Sequence, residues 1–258
     1  MNLGLASPPT FPRASENALS GRRALVVGVG GLGCPLILGL LDSGVTLVLA
    51  DDDVVETTNL HRQILYADTD VGGDKLEAAR RALVQRGVPP HRIELVRSRL
   101  LPENARSLVR SVDLVLEGSD NYATKFLAAD AARLEEKPIV HGAAVRWVAT
   151  VLAVSPLGQP CYRCLFEDVP ARSAGENCAE AGVVGPVVGF AGALMADLAL
   201  RVALEAPDAF GAIYTYDGRS DQLRRVSLAG RAACALCGKG PSIMEIDEAR
   251  YLAPSCAA

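Results

Sequence analysis

Residues 24–53 read ALVVGVGGLGCPLILGLLDSGVTLVLADDD, and the order of residue types in this stretch decides the fold. Ala24–Val29 is a short apolar, β-branched run, and glycines stand at positions 28, 30, 31 and 33. An apolar helical stretch from Cys34 follows, Gly44 closes it, and Thr46–Ala50 forms a second strand that ends in Asp51. Strand, glycine turn, helix, strand and acid is the order a nucleotide site requires. The glycines let the backbone approach phosphate, the helix N-terminus offers unpaired N–H groups, and Asp51 is placed to reach ribose hydroxyls. The pattern indicates a nucleotide without saying which one.

Outward from this unit, strand-like and helix-like segments keep alternating. Strands are expected at Thr46–Ala50, Arg92–Arg97, Val112–Glu117 and Pro138–His141, and helices near Cys34–Ser43, Asp74–Gln85, Pro102–Arg110 and Tyr122–Glu135. Alternation of this kind predicts an α/β, Rossmann-like fold: a mostly parallel sheet with helices on both faces. After about residue 145 the pattern changes to a long strand (Trp147–Ser155), an irregular stretch (Cys161–Pro170), a small and polar crossing segment (Ala171–Ala181), an Ala-rich helix (Val187–Leu204) and a hairpin (Ile213–Asp217 with Gln222–Leu228). The C-terminal half should therefore extend the same sheet with antiparallel strands. Residues 1–20, with three prolines and little periodicity, read as a mobile arm. Residues 21–240 read as one domain with halves meeting near residue 145, and 241–258 as a tail.

The chain has 258 residues, half of them hydrophobic, enough for a sizeable core. Its formal charge of −4 argues against general nucleic-acid binding, which needs a basic surface. No secretory signal opens it, so a cytoplasmic setting is expected. Val183–Leu204 is long enough to raise the question of a membrane span. Asp197 and Arg201 would be costly at bilayer depth, so a buried helix is the expectation.

Seven cysteines include Cys161-Tyr-Arg-Cys164 and Cys234-Ala-Leu-Cys237. Two such pairs supply four thiolates for a tetrahedral, closed Zn²⁺ site that would staple distant parts of the fold. Unpaired buried cysteines or one redox-active pair are the alternatives.

A third signal is the run from Asp51 through Asp53, Asn59 and Arg62 to Gln63, followed by Lys75. Arg62 and Lys75 are cations placed to meet a triphosphate and to offset charge growing on departing pyrophosphate. Asp120 and Asn121 follow the strand Val112–Glu117, where a carboxylate can hold Mg²⁺ against phosphate oxygens or simply cap the next helix. Of the histidines, His61 is near these motifs, while His91 and His141 read as structural.

Together these motifs resemble the ThiF/MoeB/HesA family, bacterial relatives of the ubiquitin-activating enzymes. The resemblance rests on G-V-G-G-L-G at 28–33, D-D-D at 51–53, N-L-H-R-Q at 59–63, D-K at 74–75, S-D-N at 119–121, C-Y-R-C at 161–164, N-C-A-E-A-G-V-V-G-P at 177–186 and C-A-L-C-G at 234–238. It implies ATP-dependent adenylation of the C-terminal glycine of a small ubiquitin-like sulfur carrier. ATP contacts would then fall on Gly31, Asp51, Asn59, Arg62, Lys75, Asp120 and Asn121, and zinc on the four cysteines. The resemblance further implies a homodimer, and a role for Cys178 in bonding to the activated carrier, as in some members. The family's R-Y-x-R-Q-like opening, whose arginine reaches the partner's ATP, has no match in residues 1–20. Arg13, Arg22 and Arg23 are the candidates to replace it. No rhodanese-like domain follows Cys237, so a separate sulfur donor, a cysteine desulfurase or rhodanese, is expected, in a thiamine, molybdenum-cofactor or specialised thio-metabolite pathway.

Two rival readings stay open at the level of sequence. An NAD-dependent oxidoreductase would use the glycine turn but has no purpose for Arg62, Lys75 and Asp120. A scaffold that binds the carrier without turnover would account for the missing arginine motif.

Overall fold

The computed structural model describes residues 17–169 and 182–251. Eight strands form one sheet in the order β3-β2-β1-β4-β5-β6-β7-β8. The strands are β1 Arg23–Val27, β2 Thr46–Ala50, β3 Ile93–Val96, β4 Leu114–Glu117, β5 Ile139–Val145, β6 Val148–Val154, β7 Ala212–Asp217 and β8 Gln222–Ser227. Pairing is parallel from β3 to β5 and antiparallel from β5 to β8. Strand order reverses between β1 and β4, which opens a crevice at their carboxyl ends. Register aligns those ends: Val27 lies opposite both Ala50 and Glu117, and Glu117 lies opposite His141.

Helices cover both faces because the parallel strands are apolar on both. On β1, Ala24 and Val26 face a core shared with α1 (Gly33–Gly39), α2 (Lys75–Gln85) and the long α6 (Gly185–Ala203). Leu25 and Val27 face the other core, built with α3 (Pro102–Arg110), α4 (Tyr122–Leu134), the short α5 (Tyr162–Phe166) and three of the four C-x-x-C cysteines. Among the described residues α6 is the helix long and apolar enough to cross a membrane. It packs against α1 so closely that a Cβ at Gly192 would overlap Pro35, and one at Gly39 would press on Ala196.

Several boundaries differ from expectation for identifiable reasons. Helix α1 stops at Gly39 and continues as a 3₁₀ turn, Leu41–Ser43, into Gly44 at φ +79°. Strand β5 runs on to Val145 because its far edge pairs with β6 throughout, Ile139 opposite Val154 and Val145 opposite Val148. Helix α6 begins two residues early, with Pro186 in its first turn, where a missing N–H is no loss. The irregular stretch contains α5, which carries Cys164. Residues 17–20, read as the end of a loose arm, are docked: the Leu19 side chain is buried and its N–H donates to the Ser43 carbonyl. Residues 1–16, with Arg13, and the crossing segment 170–181, with Cys178, lie outside the described residues.

Candidate active site

The turn after β1 is built around two backbone demands. Gly28 sits at φ +86°, a conformation that side chains resist. A Cβ at Gly33 would collide with the Gly28 carbonyl, so helix and strand can meet this closely only without one. Asp51 braces the turn from β2. Its carboxylate accepts from the Val29 amide at 2.7 Å and the Asp53 amide at 2.9 Å, and the residue is buried.

Beyond this turn opens a cavity of about 810 Å³. Gly28, Gly30 and Gly31 form one wall, and Asn59, Arg62 and Gln63 another. Lys75, Asp53, Asp120 and Asn121 close it. The residues singled out from sequence for the nucleotide are thus brought together, with two exceptions. Gly33 packs beneath the turn, and Asp51 accepts from the Val29 and Asp53 amides, while Asp52, Asp53, Glu56 and Asp120 are the carboxylates that line the cavity. Sequence reasoning missed Arg99, Leu100 and Thr124. Their position just past β3 and at the start of α4, at the carboxyl side of the sheet, was the available signal.

The charges are held in a small lattice. Lys75 Nζ, almost fully buried, donates to Asp53 at 2.9 Å, and Arg99 reaches Asp52 at 2.7 Å and Asp53 at 3.3 Å. Burial tends to raise Asp53, but the Lys75 ammonium and Arg99 outweigh it and hold the carboxyl below its ordinary value. Arg62 is fixed by its bond to Asn59 Oδ1 at 2.6 Å, and Asn59 in turn donates to Glu56 at 2.9 Å. Asn121 caps α4 by accepting from the Thr124 amide at 2.8 Å. Asp120 beside it is exposed, and its carboxylate has no hydrogen-bond partner among the described residues. Arg23, by contrast, is tied to Glu94 at the opposite end of β1, which takes it away from this cavity.

The four cysteines also converge. Cys161 Sγ lies 3.5 Å from Cys234 Sγ, Cys164 Sγ lies 3.5 Å from Cys237 Sγ, and Cys161 and Cys164 are 3.9 Å apart. Four sulfurs about 2.3 Å from a tetrahedral Zn²⁺ would stand about 3.8 Å apart, so the donor set and its size fit that ion. Burial pushes the Cys161 thiol up, with the neighbouring thiols adding to it. Cys234 is instead drawn down to about 7, because backbone amides of Cys237 and Leu236 outweigh its burial.

A profile of the ThiF family matches residues 5–237. The chain belongs to the ThiF family. Its curated relatives include the SAMP-activating enzyme E1 of Haloferax volcanii, 38% identical over 237 residues that cover 90% of this chain and 87% of that protein. The sulfur carrier protein adenylyltransferase of Thermus thermophilus is also 38% identical, over 93% of this chain and 90% of its own length. Adenylyltransferase and sulfurtransferase MOCS3 of Dictyostelium discoideum is 31% identical; the chain spans 57% of that longer protein. Among solved structures, E. coli MccB with MccA-N7isoASN superposes with a TM-score of 0.74 at 20% identity, covering 87% of this chain and 69% of that one, which establishes the shared fold.

Proposed function

We propose that this ThiF-family chain is an ATP-dependent adenylyltransferase that activates the C-terminal glycine of a ubiquitin-like sulfur carrier ending in Gly-Gly. One observation carries the reading: Arg62, Lys75 and Asp120, distant in sequence, converge at the mouth of the glycine turn. The names of the Haloferax and Thermus relatives support it. A carboxylate is a poor electrophile, and joining it to AMP makes it a good one. The protein must bring two anions together and stabilise leaving pyrophosphate, work for cations and positioning rather than for a catalytic base.

In this reading the glycine turn and the α1 N-terminus cradle the phosphates. Arg62 and Lys75 offset the charge that builds on pyrophosphate, and Asp52 and Asp53 face the ribose. Asp120 fits a Mg²⁺ ligand, being an exposed, unpaired carboxylate at the carboxyl end of a parallel strand. When bound there, Mg²⁺ would neutralise phosphate oxygens. Zn²⁺ on Cys161, Cys164, Cys234 and Cys237 would be structural, joining α5 to the turn after β8. Homodimerisation, a cytoplasmic setting, a separate sulfur donor and a covalent role for Cys178 belong to the same proposal, with the activated carrier feeding a thiamine, molybdenum-cofactor or specialised thio-metabolite pathway.

The test is carrier-dependent exchange of pyrophosphate into ATP, with Mg²⁺ and ubiquitin-like carriers ending in Gly-Gly. Exchange is expected with one of them, and thermal stabilisation by ATP but not by NAD. Stabilisation by NAD alone would point to an oxidoreductase. Carrier binding without exchange would point to a scaffold.

A further inference from the structure

A second cavity, of about 230 Å³, begins at Asp120, where the first one ends, and runs along β5 and β6 to Ile213. Its walls are largely apolar, with Ala143, Val145 and Val151 among them, and His141 and Lys125 sit at its floor. Because Asp120 and Ala144 line both cavities, whatever occupies the second approaches the contents of the first. An extended, uncharged, slender chain fits those walls. On the adenylation reading, which this inference rests on, that chain is the carboxyl-terminal tail of the carrier.

The floor holds an unusual group of polar side chains. Glu117 is fully buried, and its Oε1 accepts from both the amide and the hydroxyl of Ser119. Its Oε2 accepts from Lys125 Nζ at 2.8 Å and lies 3.2 Å from His141 Nδ1. Lys125 also donates to the Gly142 carbonyl at 2.6 Å. Tyr162 packs its ring against the His141 imidazole, 4.6 Å between centroids. His141 Nε2, though buried, has no hydrogen-bond partner among the described residues. Native proteins rarely leave a buried polar atom in that state.

The tautomer follows from the neighbours. Burial keeps the imidazole neutral by lowering its tendency to protonate, and Lys125 keeps Glu117 ionised. A carboxylate only accepts, so the single proton belongs on Nδ1 and Nε2 carries a lone pair. The partner that Nε2 lacks is therefore a donor. We propose that His141 is a positioning residue for the carrier tail, its Nε2 accepting a hydrogen bond from a main-chain N–H of one of the last three residues and so setting the terminal carboxylate toward the nucleotide. Glu117 serves both cavities at once: it orients His141 on one side and, through Ser119, the Asp120 turn on the other.

The experiment compares His141→Asn, which retains a donor near Nδ1 but removes Nε2, with His141→Gln, which returns an acceptor near Nε2. Each is assayed by pyrophosphate exchange with a semisynthetic carrier whose last three amides are N-methylated one at a time. The expectation is a KM for carrier about tenfold higher in His141→Asn, an unchanged KM for ATP, and recovery in His141→Gln. N-methylation at one of the three positions should raise the KM of the unsubstituted enzyme similarly and add nothing further in His141→Asn. Penalties that multiply at all three positions, or a His141→Gln variant no better than His141→Asn, would overturn the assignment while leaving adenylation standing. Absence of exchange by the unsubstituted enzyme with every carrier would remove both.

Discussion

Two groups of charged side chains on this protein are handled in opposite ways. Around the glycine turn, Arg62 and Arg99 keep their guanidinium groups at the wall of an open cavity, and Asp120 is left unpaired among the described residues. On the far side of α4, Arg163 is buried and bonded to Asp130 by two parallel contacts of 2.7 and 2.9 Å. The ring of Phe126 lies 4.8 Å from its guanidinium carbon, and Tyr251 donates to the same carboxylate at 2.9 Å. Open charges add little to stability and remain available to a ligand. A desolvated pair holds only while both partners are present. The first group is therefore disposed for chemistry. The second anchors α5, and with it the cysteine cluster, to α4.

The contrast predicts a double dissociation. Replacing Arg62 by Ala should lower pyrophosphate exchange by ~10²- to 10³-fold, the scale for losing one preorganised electrostatic contact to a transition state. Thermal unfolding should hardly move. The same pattern is expected for Asp120→Ala, and an unchanged exchange rate would remove either residue from its role. Asp130→Ala should do the reverse, costing about 3–5 kcal/mol because it strands the buried Arg163. Any Asp130→Ala protein that remains folded should keep its KM for ATP. A variant that unfolds normally but loses ATP affinity would erase the distinction between the two groups.

The cysteine cluster sharpens the same comparison from the structural side. Purified protein should contain about one zinc per chain, measured by elemental analysis. Cys161→Ser should lose that metal and several kcal/mol of stability, about 10 °C for a chain of this size. Nucleotide affinity should survive wherever the protein is folded, since the four sulfurs stand among the α4-side core residues and not on the nucleotide cavity. A stable, metal-free Cys161→Ser protein would turn the cluster into four packed thiols.

How much of this was legible in the sequence depends on how local the physics is. The β1–turn–α1–β2 unit was readable because Gly28 and Gly33 answer demands made within a few residues. The C-x-x-C pairs were readable because ligand spacing is a property of the chain. Asp51 shows the limit of a local reading: an acid at a strand end reads as a ribose ligand, and only the folded turn shows that its carboxylate also braces the Val29 and Asp53 amides. Arg99 is brought to Asp52 and Asp53 by the pairing of β3 with β2, which no local pattern announces. His141 read as structural for the same reason. Its neighbours Glu117 and Lys125 come from β4 and α4, and only the β4–β5 register sets them side by side.

That buried trio gives the smallest of the expected effects, and one that separates it from the open charges. The folded protein holds His141 below its ordinary value of 6.5, whereas the unfolded chain protonates it near that value. The unfolded state thus binds more protons, so stability is complete above about pH 6.5 and declines as pH falls below it. Glu117 resists protonation down to about 2, against an ordinary 4.5, because Lys125 and His141 overcome its burial. Its contribution is present above pH 4.5 and is lost as pH falls through 4.5 toward 2. Unfolding temperatures between pH 8 and 4 should hold steady to about pH 7 and then slope downward. One pKa unit corresponds to about 1.4 kcal/mol, or a few degrees here. His141→Asn should flatten the segment between pH 7 and 5 while keeping the steeper fall below 4.5, and Arg62→Ala should alter neither. Superimposable profiles for all three proteins would mean that the imidazole does not titrate with folding, and that the floor of the second cavity is as indifferent to protons as its walls.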